Sequence, residues 1–506
     1  MNRRATLYRL KADFGELLAV HERGRDLNEF TRWEGDPVGF CTEVLRAELT
    51  DYQEDIAGSV RARPLVVVQS CNAAGKDFIA AHLALWFVYA RRGLVLITGP
   101  TQRQVREIVM GEVGRAWGRA RDLPGELFQS ALRLGQSEQA GILAFTSSEA
   151  SRLTGFHAPR LMVLLTEAQG VEGFAWEAAL ACATGAEDRI LAVGNPLSPS
   201  GSFYAASRSD AWHRHQIGAF ETPNVQQGRE VFPGMMTLQG VARIESEFGK
   251  GSGVYQARVL GEFPDQGEEG LFRRSWLEAA VERWAEWRGL HADEMPVVGI
   301  DPARFGPDQT VCALRRGRVL VSLHSWGSAD LMETVDRIRD VLEEAGVRLP
   351  GEWQEYWDYS WVTAGYPPTI RKRREPTYGR VICDEIGVGA GVVDRLRELG
   401  FHVIAFNAGS SPSDGGRFAN ARAEAYWRLR EKLEAGELAL PPDEKLFDEL
   451  VATKWRPTPE GKVRIEPKDD LKARLGRSPD RADALVMAVA GEIARKRRRR
   501  GGVATA

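Results

Sequence analysis

Cysteine is scarce in this 506-residue chain, and the five present (Cys41, Cys71, Cys182, Cys312, Cys383) are scattered with no C-x-x-C pair. That spacing argues against a zinc site and a disulfide framework, and fits a reducing compartment. Long apolar runs are missing too. The longest, residues 78–90, is interrupted by His82 and is too short to cross a bilayer, so it reads as a buried helix and no membrane is expected. The opening Met-Asn-Arg-Arg-Ala-Thr is not followed by an apolar signal core. Charge of one sign is also lacking. A formal net charge of -3 gives no whole-molecule pull toward nucleic acid, so any such surface must be a local patch. No internal repeat of solenoid period is visible.

What is present is an ordinary globular composition, 43% hydrophobic and 27% charged, in a chain long enough for two or three domains. Residues 1–50 read as a charged, helical N-terminal segment. Residues 51–220 form the first expected domain. Within it apolar strands at 65–68, 94–98, 161–166 and 190–194 alternate with helical stretches, the pattern of a parallel α/β sheet with helices on its faces. Residues 221–290 read as a linker or subdomain. Residues 291–491 form a second, mixed α/β domain that opens with a meander at 297–300, 310–315 and 319–326. Residues 492–506, with Arg495-Lys-Arg-Arg-Arg-Arg500, read as a basic, disordered tail.

Ligands in parallel α/β sheets sit at the carboxyl ends of strands, and the unusual residues fall there. After the first strand comes Gln69-Ser-Cys-Asn-Ala-Ala-Gly-Lys-Asp77, nearly a phosphate-binding loop. Asn72, Ala74 and Gly75 can supply the turn and Lys76 the charge for a triphosphate. Ser70 stands where the first glycine of G-x-x-x-x-G-K-[ST] belongs, which is tolerable if its φ is negative, and Asp77 stands where a hydroxyl should hold magnesium. An ordinary strand–turn–helix is the alternative.

The strand at 161–166 ends in Thr166-Glu167. Nucleotide-hydrolysing folds usually end this strand in Asp-Glu, the first serving magnesium and the second polarising water. The two departures answer each other: Asp77 and Thr166 read as a swapped magnesium pair, with Glu167 as general base. The alternative is that both are losses. Asn195, in Gly194-Asn-Pro196, can sense the terminal phosphate or can simply start a turn.

In the second half, Asp301 and Asp384 each follow an apolar strand, and Ser478-Pro-Asp-Arg-Ala-Asp-Ala484 places Asp480 and Asp483 on one helical face. Such acids repel unless a cation is bound, and two Mg²⁺ or Mn²⁺ ions suit an oxygen-only set that cuts phosphodiesters. Asp483 ranks above Asp480, which can equally cap the helix. Glu385 is a possible extra ligand. Arg371-Lys-Arg-Arg374, in a polar insertion at 353–380, can touch a phosphate backbone, though a solvated loop is the commoner fate.

The order of these elements, together with Thr50-Asp-Tyr-Gln53, Thr98-Gly-Pro-Thr-Gln-Arg-Gln-Val105 and Tyr-Gln-Ala-Arg-Val-Leu-Gly-Glu-Phe at 255–263, resembles the large terminase subunit of tailed bacteriophages over roughly residues 45–490. The resemblance implies a P-loop, RecA/ASCE-like ATPase domain and an RNase H-like nuclease domain. It implies ATP and Mg²⁺ as cofactors, with Gln53 on adenine, Lys76 on phosphates, Glu167 activating water and Asn195 in the coupling motif. Asp301, Asp384 and Asp483 would hold two metals. Double-stranded DNA, a portal protein and a small terminase subunit would be partners. The chain would form a homo-oligomeric ring on the portal and be a monomer in isolation, acting in the cytoplasm of the infected host and absent from the mature virion. Arg103, Arg106 and Arg152 are candidate arginine fingers. A nuclease or recombinase with a relic ATPase, and a non-enzymatic DNA-binding scaffold, are the competing readings.

Overall fold

A computed structural model describes residues 27–500 apart from 121–122, 135–139, 150–155, 157, 268, 304–307, 328, 348–353, 359–366 and 374–377, with backbone alone at 354–357, 371–373, 473 and 491–500. The chain divides into two compact units, Met1–Pro264 and Asp265–Ala506. The stretch 221–290, expected as a linker, is shared between them. Val225, Met236, Val241, Tyr255 and Val259 are buried in the core of the first unit, and Leu271, Phe272, Leu277 and Ala280 in that of the second. Apolar burial, not turn content, decided where the division falls.

The first unit is built on an eight-stranded sheet: β1 (Leu65–Ser70), β2 (Leu94–Gly99), β3 (Glu126–Phe128), β4 (Ala131–Arg133), β5 (Gly141–Thr146), β6 (Leu161–Leu165), β7 (Arg189–Gly194) and β8 (His213–Ile217). Its order is β3-β4-β5-β2-β6-β7-β1-β8. All neighbours from β5 to β8 are parallel, and β3 and β4 add an antiparallel edge. The four apolar strands expected are β1, β2, β6 and β7. They form the middle of the sheet, where both faces are covered and a continuous apolar run exposes nothing to water.

The interrupted apolar run is the helix Lys76–Tyr89, buried on every side from Ile79 onward. Its one polar intruder, His82, sits with Nδ1 against Phe78 O at 2.6 Å and Nε2 against Arg119 at 2.9 Å. Burial lowers its pKa to about 4, so it enters the core neutral. The described part of the N-terminal segment is not a separate body. Phe30, Trp33, Phe40 and Leu45 pack into the same core, and the Trp86 indole donates to Trp33 O at 2.8 Å.

The second unit has a five-stranded sheet of β9 (Pro296–Asp301), β10 (Thr310–Arg316), β11 (Val319–Trp326), β14 (Arg380–Asp384) and β15 (Val403–Phe406) in the order β11-β10-β9-β14-β15. The expected antiparallel meander is β9–β10–β11, while β14 and β15 run parallel to β9. The insertion at 353–380 contains a separate antiparallel ribbon, β12 (Gln354–Asp358) with β13 (Thr369–Arg373), in which Arg371 stands opposite Tyr356. A further ribbon joins β16 (Trp455–Pro457) to β17 (Val463–Ile465).

The last helix runs Asp480–Arg500. The basic run is therefore its continuation rather than a disordered tail, since Lys and Arg are good helix formers and suit a helix C-terminus. Residues 501–506 lie outside the described set. This helix lies directly on β9. A Cβ at Gly299 would fall 2.1 Å from Ala484 O and 2.4 Å from Ala488 N, so only glycine admits the contact. Gly299→Ala is expected to destabilise the second unit by about 2 kcal/mol or more, the usual cost of overpacking a tight core. Chemical denaturation followed by tryptophan fluorescence would show the loss.

Candidate nucleotide and metal sites

In the first unit, three strand ends bring the candidate residues together: β1 leads into the loop, β6 into Thr166-Glu167, and β7 into Asn195. Ser70 closes β1 in register with Ile217 of β8 and is absent from the described non-glycine residues with positive φ. A serine therefore fits where the pattern asks for glycine. The special backbone falls later, at Ala73 (φ 54°) and Gly75 (φ 75°). At Gly75 a Cβ would also meet Gln53 Nε2 at 2.7 Å.

The loop is braced from outside. Cys71 N donates to Ile217 O at 2.8 Å, Asn72 N to Arg258 O at 3.0 Å, and Gln69 Nε2 to Gly261 O at 2.9 Å. The 255–263 motif is thus the loop's backing. On the other side, Tyr52 donates to Ala74 O at 2.9 Å, and Met236 N to Ala73 O at 3.1 Å.

Lys76 opens the helix that follows and is buried. A buried ammonium must be answered by acceptors. Its Nζ lies 3.2 Å from Glu167 Oε1, 3.2 Å from Asn195 Oδ1 and 3.9 Å from Asp77. Thr166 Oγ1 donates to Asp77 Oδ1 at 3.0 Å, so the hydroxyl and carboxylate with exchanged positions do stand side by side. Burial raises the Asp77 carboxyl, with Lys76 opposing and Glu167 adding to the rise. Asp77 and Thr166 offer two hard oxygens beside Lys76, a donor set that suits magnesium.

Gln53 is fully buried. Its Oε1 accepts from Thr50 N at 3.1 Å and its Nε2 donates to Gly75 O at 3.3 Å, which leaves one lone pair and one N–H for a further partner. Arg103 is exposed beside Glu107 at 3.4 Å, Arg106 reaches the Gln102 amide, and Arg152 lies outside the described residues.

In the second unit Asp301 ends β9 and Asp384 ends β14, one step past the Ile300–Cys383 register of these parallel neighbours. Asp480 and Asp483 lie in the first turn of the terminal helix. Three of these acids meet on Lys468. Its Nζ is 2.8 Å from Asp483, 3.1 Å from Asp301 and 3.7 Å from Asp480. Tyr426 donates to Asp483 Oδ1 at 2.7 Å, and Gln309 N to Asp480 Oδ2 at 2.8 Å. Asp384 instead accepts from Ile386 N at 3.1 Å, though it is near enough to feel Lys468 and Asp483. Glu385 is tied to Asn407 Nδ2 at 2.9 Å.

Among the described residues, no group of three or more His, Cys, Asp or Glu side chains is disposed to hold a metal ion. The acids converge on an ammonium rather than on each other. Burial raises Asp301 well above the usual carboxylate range, Lys468 opposes this, and Asp483 and Asp480 reinforce it. Burial also works against ionised Asp483, but Lys468, Arg422 and the bonds from Lys468 and Tyr426 win and hold it low. This is an oxygen-only pocket that favours a cation, with a lysine serving as that cation.

No family model matches the chain. A curated protein of Enterobacteria phage P7, described as a probable terminase, large subunit, is 29% identical over 137 residues, covering 26% of this chain and 26% of that protein. The chain resembles a large terminase subunit. The match spans about a quarter of that terminase's length. Among solved structures, the large terminase of a thermophilic bacteriophage is similar over 88% of this chain and 100% of its own, at 12% identity and a TM-score of 0.36. The nuclease domain of the large terminase subunit gp2 of bacterial virus Sf6 is similar over 44% and 98%, at 26% identity and a TM-score of 0.34. Scores this low transfer neither residues nor metals to this chain.

Sequence reasoning missed Lys468, Tyr426 and Gln169. Lys468 and Tyr426 lie on helices far along the chain from Asp301, with no strand-end signal to mark them. Gln169 stood in view, two residues beyond Glu167 in Leu-Leu-Thr-Glu-Ala-Gln169.

The rise at Asp77 carries a sign. A carboxyl raised on folding contributes stability below its unfolded pKa and loses it as pH climbs through the raised value. Asp77→Asn, which keeps an acceptor for Thr166, is therefore expected to raise the nucleotide-free melting temperature in mildly alkaline buffer. The gain should shrink as pH falls, which thermal unfolding across a pH series would check.

Proposed function

We propose that this chain is a genome-packaging motor subunit that hydrolyses ATP to move double-stranded DNA into a procapsid and cuts concatemeric DNA with a metal-dependent nuclease. The observation that carries the reading is the meeting of Lys76, Asp77, Thr166, Glu167 and Asn195 at three strand ends, in one chain with a carboxylate pocket of opposite design. The terminase-like sequence match supports it.

In the motor half, Lys76 would bind the terminal phosphates, and the N–H groups of the loop and first helical turn would cradle them. Asp77 and Thr166 would hold Mg²⁺, which supplies charge neutralisation on the β- and γ-phosphoryl oxygens. Glu167, released from Lys76 as the phosphates take the ammonium, would orient and deprotonate water. Asn195, bonded to both Lys76 and Ser70 O, would register that exchange.

If Asp77 and Thr166 are a true exchanged pair, Asp77→Ser and Thr166→Asp should each cut DNA-stimulated ATPase strongly, while the double exchange restores much of it. A double variant no better than the worse single one ends the compensation idea. Glu167→Gln should lower kcat by about a hundredfold or more while leaving ATP-analogue binding near wild type.

In the nuclease half, Asp301, Asp483 and Asp480, with Asp384 beside them, would hold Mg²⁺ or Mn²⁺ after Lys468 swings aside. The metals would supply an activated water and charge on the leaving oxygen. Asp301→Asn and Asp483→Asn should abolish plasmid nicking in Mn²⁺. Lys468→Ala should lower the metal-free melting temperature, because it strands three carboxylates, and enlarge the rise on adding Mn²⁺. An unchanged Mn²⁺ response would remove Lys468 from the site. A portal, a small subunit and a ring of identical chains follow from the same reading.

A further inference from the structure

Glu167 cannot be aimed by Lys76 once a triphosphate has taken that ammonium, so something else must hold it. We propose that Gln169 is a positioning residue that keeps Glu167 oriented and ties it to the end of β7. The inference rests on the ATPase reading above. Gln169 Nε2 donates to Glu167 Oε2 at 2.7 Å, and its Oε1 accepts from Asn195 N at 3.1 Å. A backbone N–H can only donate, so it fixes which way the amide faces and leaves the NH₂ no choice but the carboxylate.

With the Lys76 contacts to Glu167 and Asn195, these bonds close a ring: Lys76, Glu167, Gln169, Asn195 and back. Lys76 and Gln169 hold different oxygens of Glu167. When phosphate draws Lys76 away, Oε2 stays bonded to Gln169 and Oε1 is free to accept from water.

Two further observations show that the arrangement is built. Glu167 has left-handed backbone (φ 45°, ψ 47°), which a non-glycine residue keeps only when its surroundings impose it, and Gly170 N closes a turn on Glu167 O at 2.8 Å. Gly194, the last residue of β7, has no side chain where one would strike Gln169: a Cβ there would lie 2.3 Å from Gln169 Oε1. That glycine keeps the slot open through which Gln169 reaches Asn195.

The test uses the full chain with Mg²⁺-ATP and linear double-stranded DNA. Steady-state ATPase is measured together with equilibrium binding of a fluorescent ATP analogue and thermal unfolding of every variant. Gln169→Ala is expected to lower kcat by about tenfold to a hundredfold with analogue binding within about twofold of wild type. Its defect should also depend on the carboxylate: Gln169→Ala added to Glu167→Gln should slow turnover no further than Glu167→Gln alone, because there is no longer a base to aim. Gln169→Glu sets a second carboxylate against Glu167 where the amide donor stood and should lower kcat at least as far. Gly194→Ala should reproduce the Gln169→Ala defect, and the double variant should be no worse than either.

Unchanged kcat in Gln169→Ala overturns the proposal. So does a variant that loses analogue binding along with turnover, or whose defect adds in full to that of Glu167→Gln, the mark of a merely structural role. If Gln169→Ala does not fold, Gln169→Glu and Gly194→Ala decide the question by the same two readouts. A wild-type chain that neither binds nor hydrolyses ATP sinks the ATPase reading and this inference together, whereas an active wild type with an indifferent Gln169→Ala sinks this inference alone.

Discussion

A lysine ammonium draws acceptors around it, most of all when it is buried as Lys76 is, and each unit of this protein has a polar cluster centred on one. In the first, Lys76 gathers Glu167, Asn195 and Asp77 from three strand ends. In the second, Lys468 gathers Asp301, Asp480 and Asp483 from a strand and a helix. The buried Lys76 has lost hydration that only a well-made set of partners replaces, whereas Lys468 is partly exposed and answers the buried carboxylate of Asp301. In the proposed function a different ligand would compete at each, an anion for Lys76 and a cation for the acids around Lys468.

The folds that hold these lysines differ in how they do it. The first relies on the parallel strands β5, β2, β6, β7, β1 and β8, which all end on one side of the sheet, so loop residues distant in sequence arrive together. The second relies on a glycine in β9 that lets the terminal helix press against the sheet, which carries Asp480 and Asp483 to the end of β9 where Asp301 stands.

Much of the first unit was legible because both faces of its sheet are covered: β1, β2, β6 and β7 each carry an apolar run of four or more residues, and buried strands announce themselves that way. The strands β3 and β4 are three residues each, and β8 reads His-Arg-His-Gln-Ile, so none shows a period long enough to see. The Asp77–Thr166 juxtaposition was inferable from their complementary misplacement, and the hydrogen bond between them agrees. The acid at 384 was grouped with 301 and 483, yet it turns to the Ile386 amide while Asp480 joins the cluster, because the helix start and not sequence spacing aims that carboxylate.

The sequence alone determined the class of chain: an α/β protein with a phosphate-type loop, strand-end acids and too few cysteines or long apolar runs for a metal ribbon or a membrane span. Those traits are local, written in composition and in period. Only the tertiary structure decided which partner each polar group takes. A side chain's hydrogen bonds depend on what other strands and helices bring within about 3 Å. The placing of Gln169 between Glu167 and Asn195, and of Lys468 among the carboxylates, is information of that non-local kind.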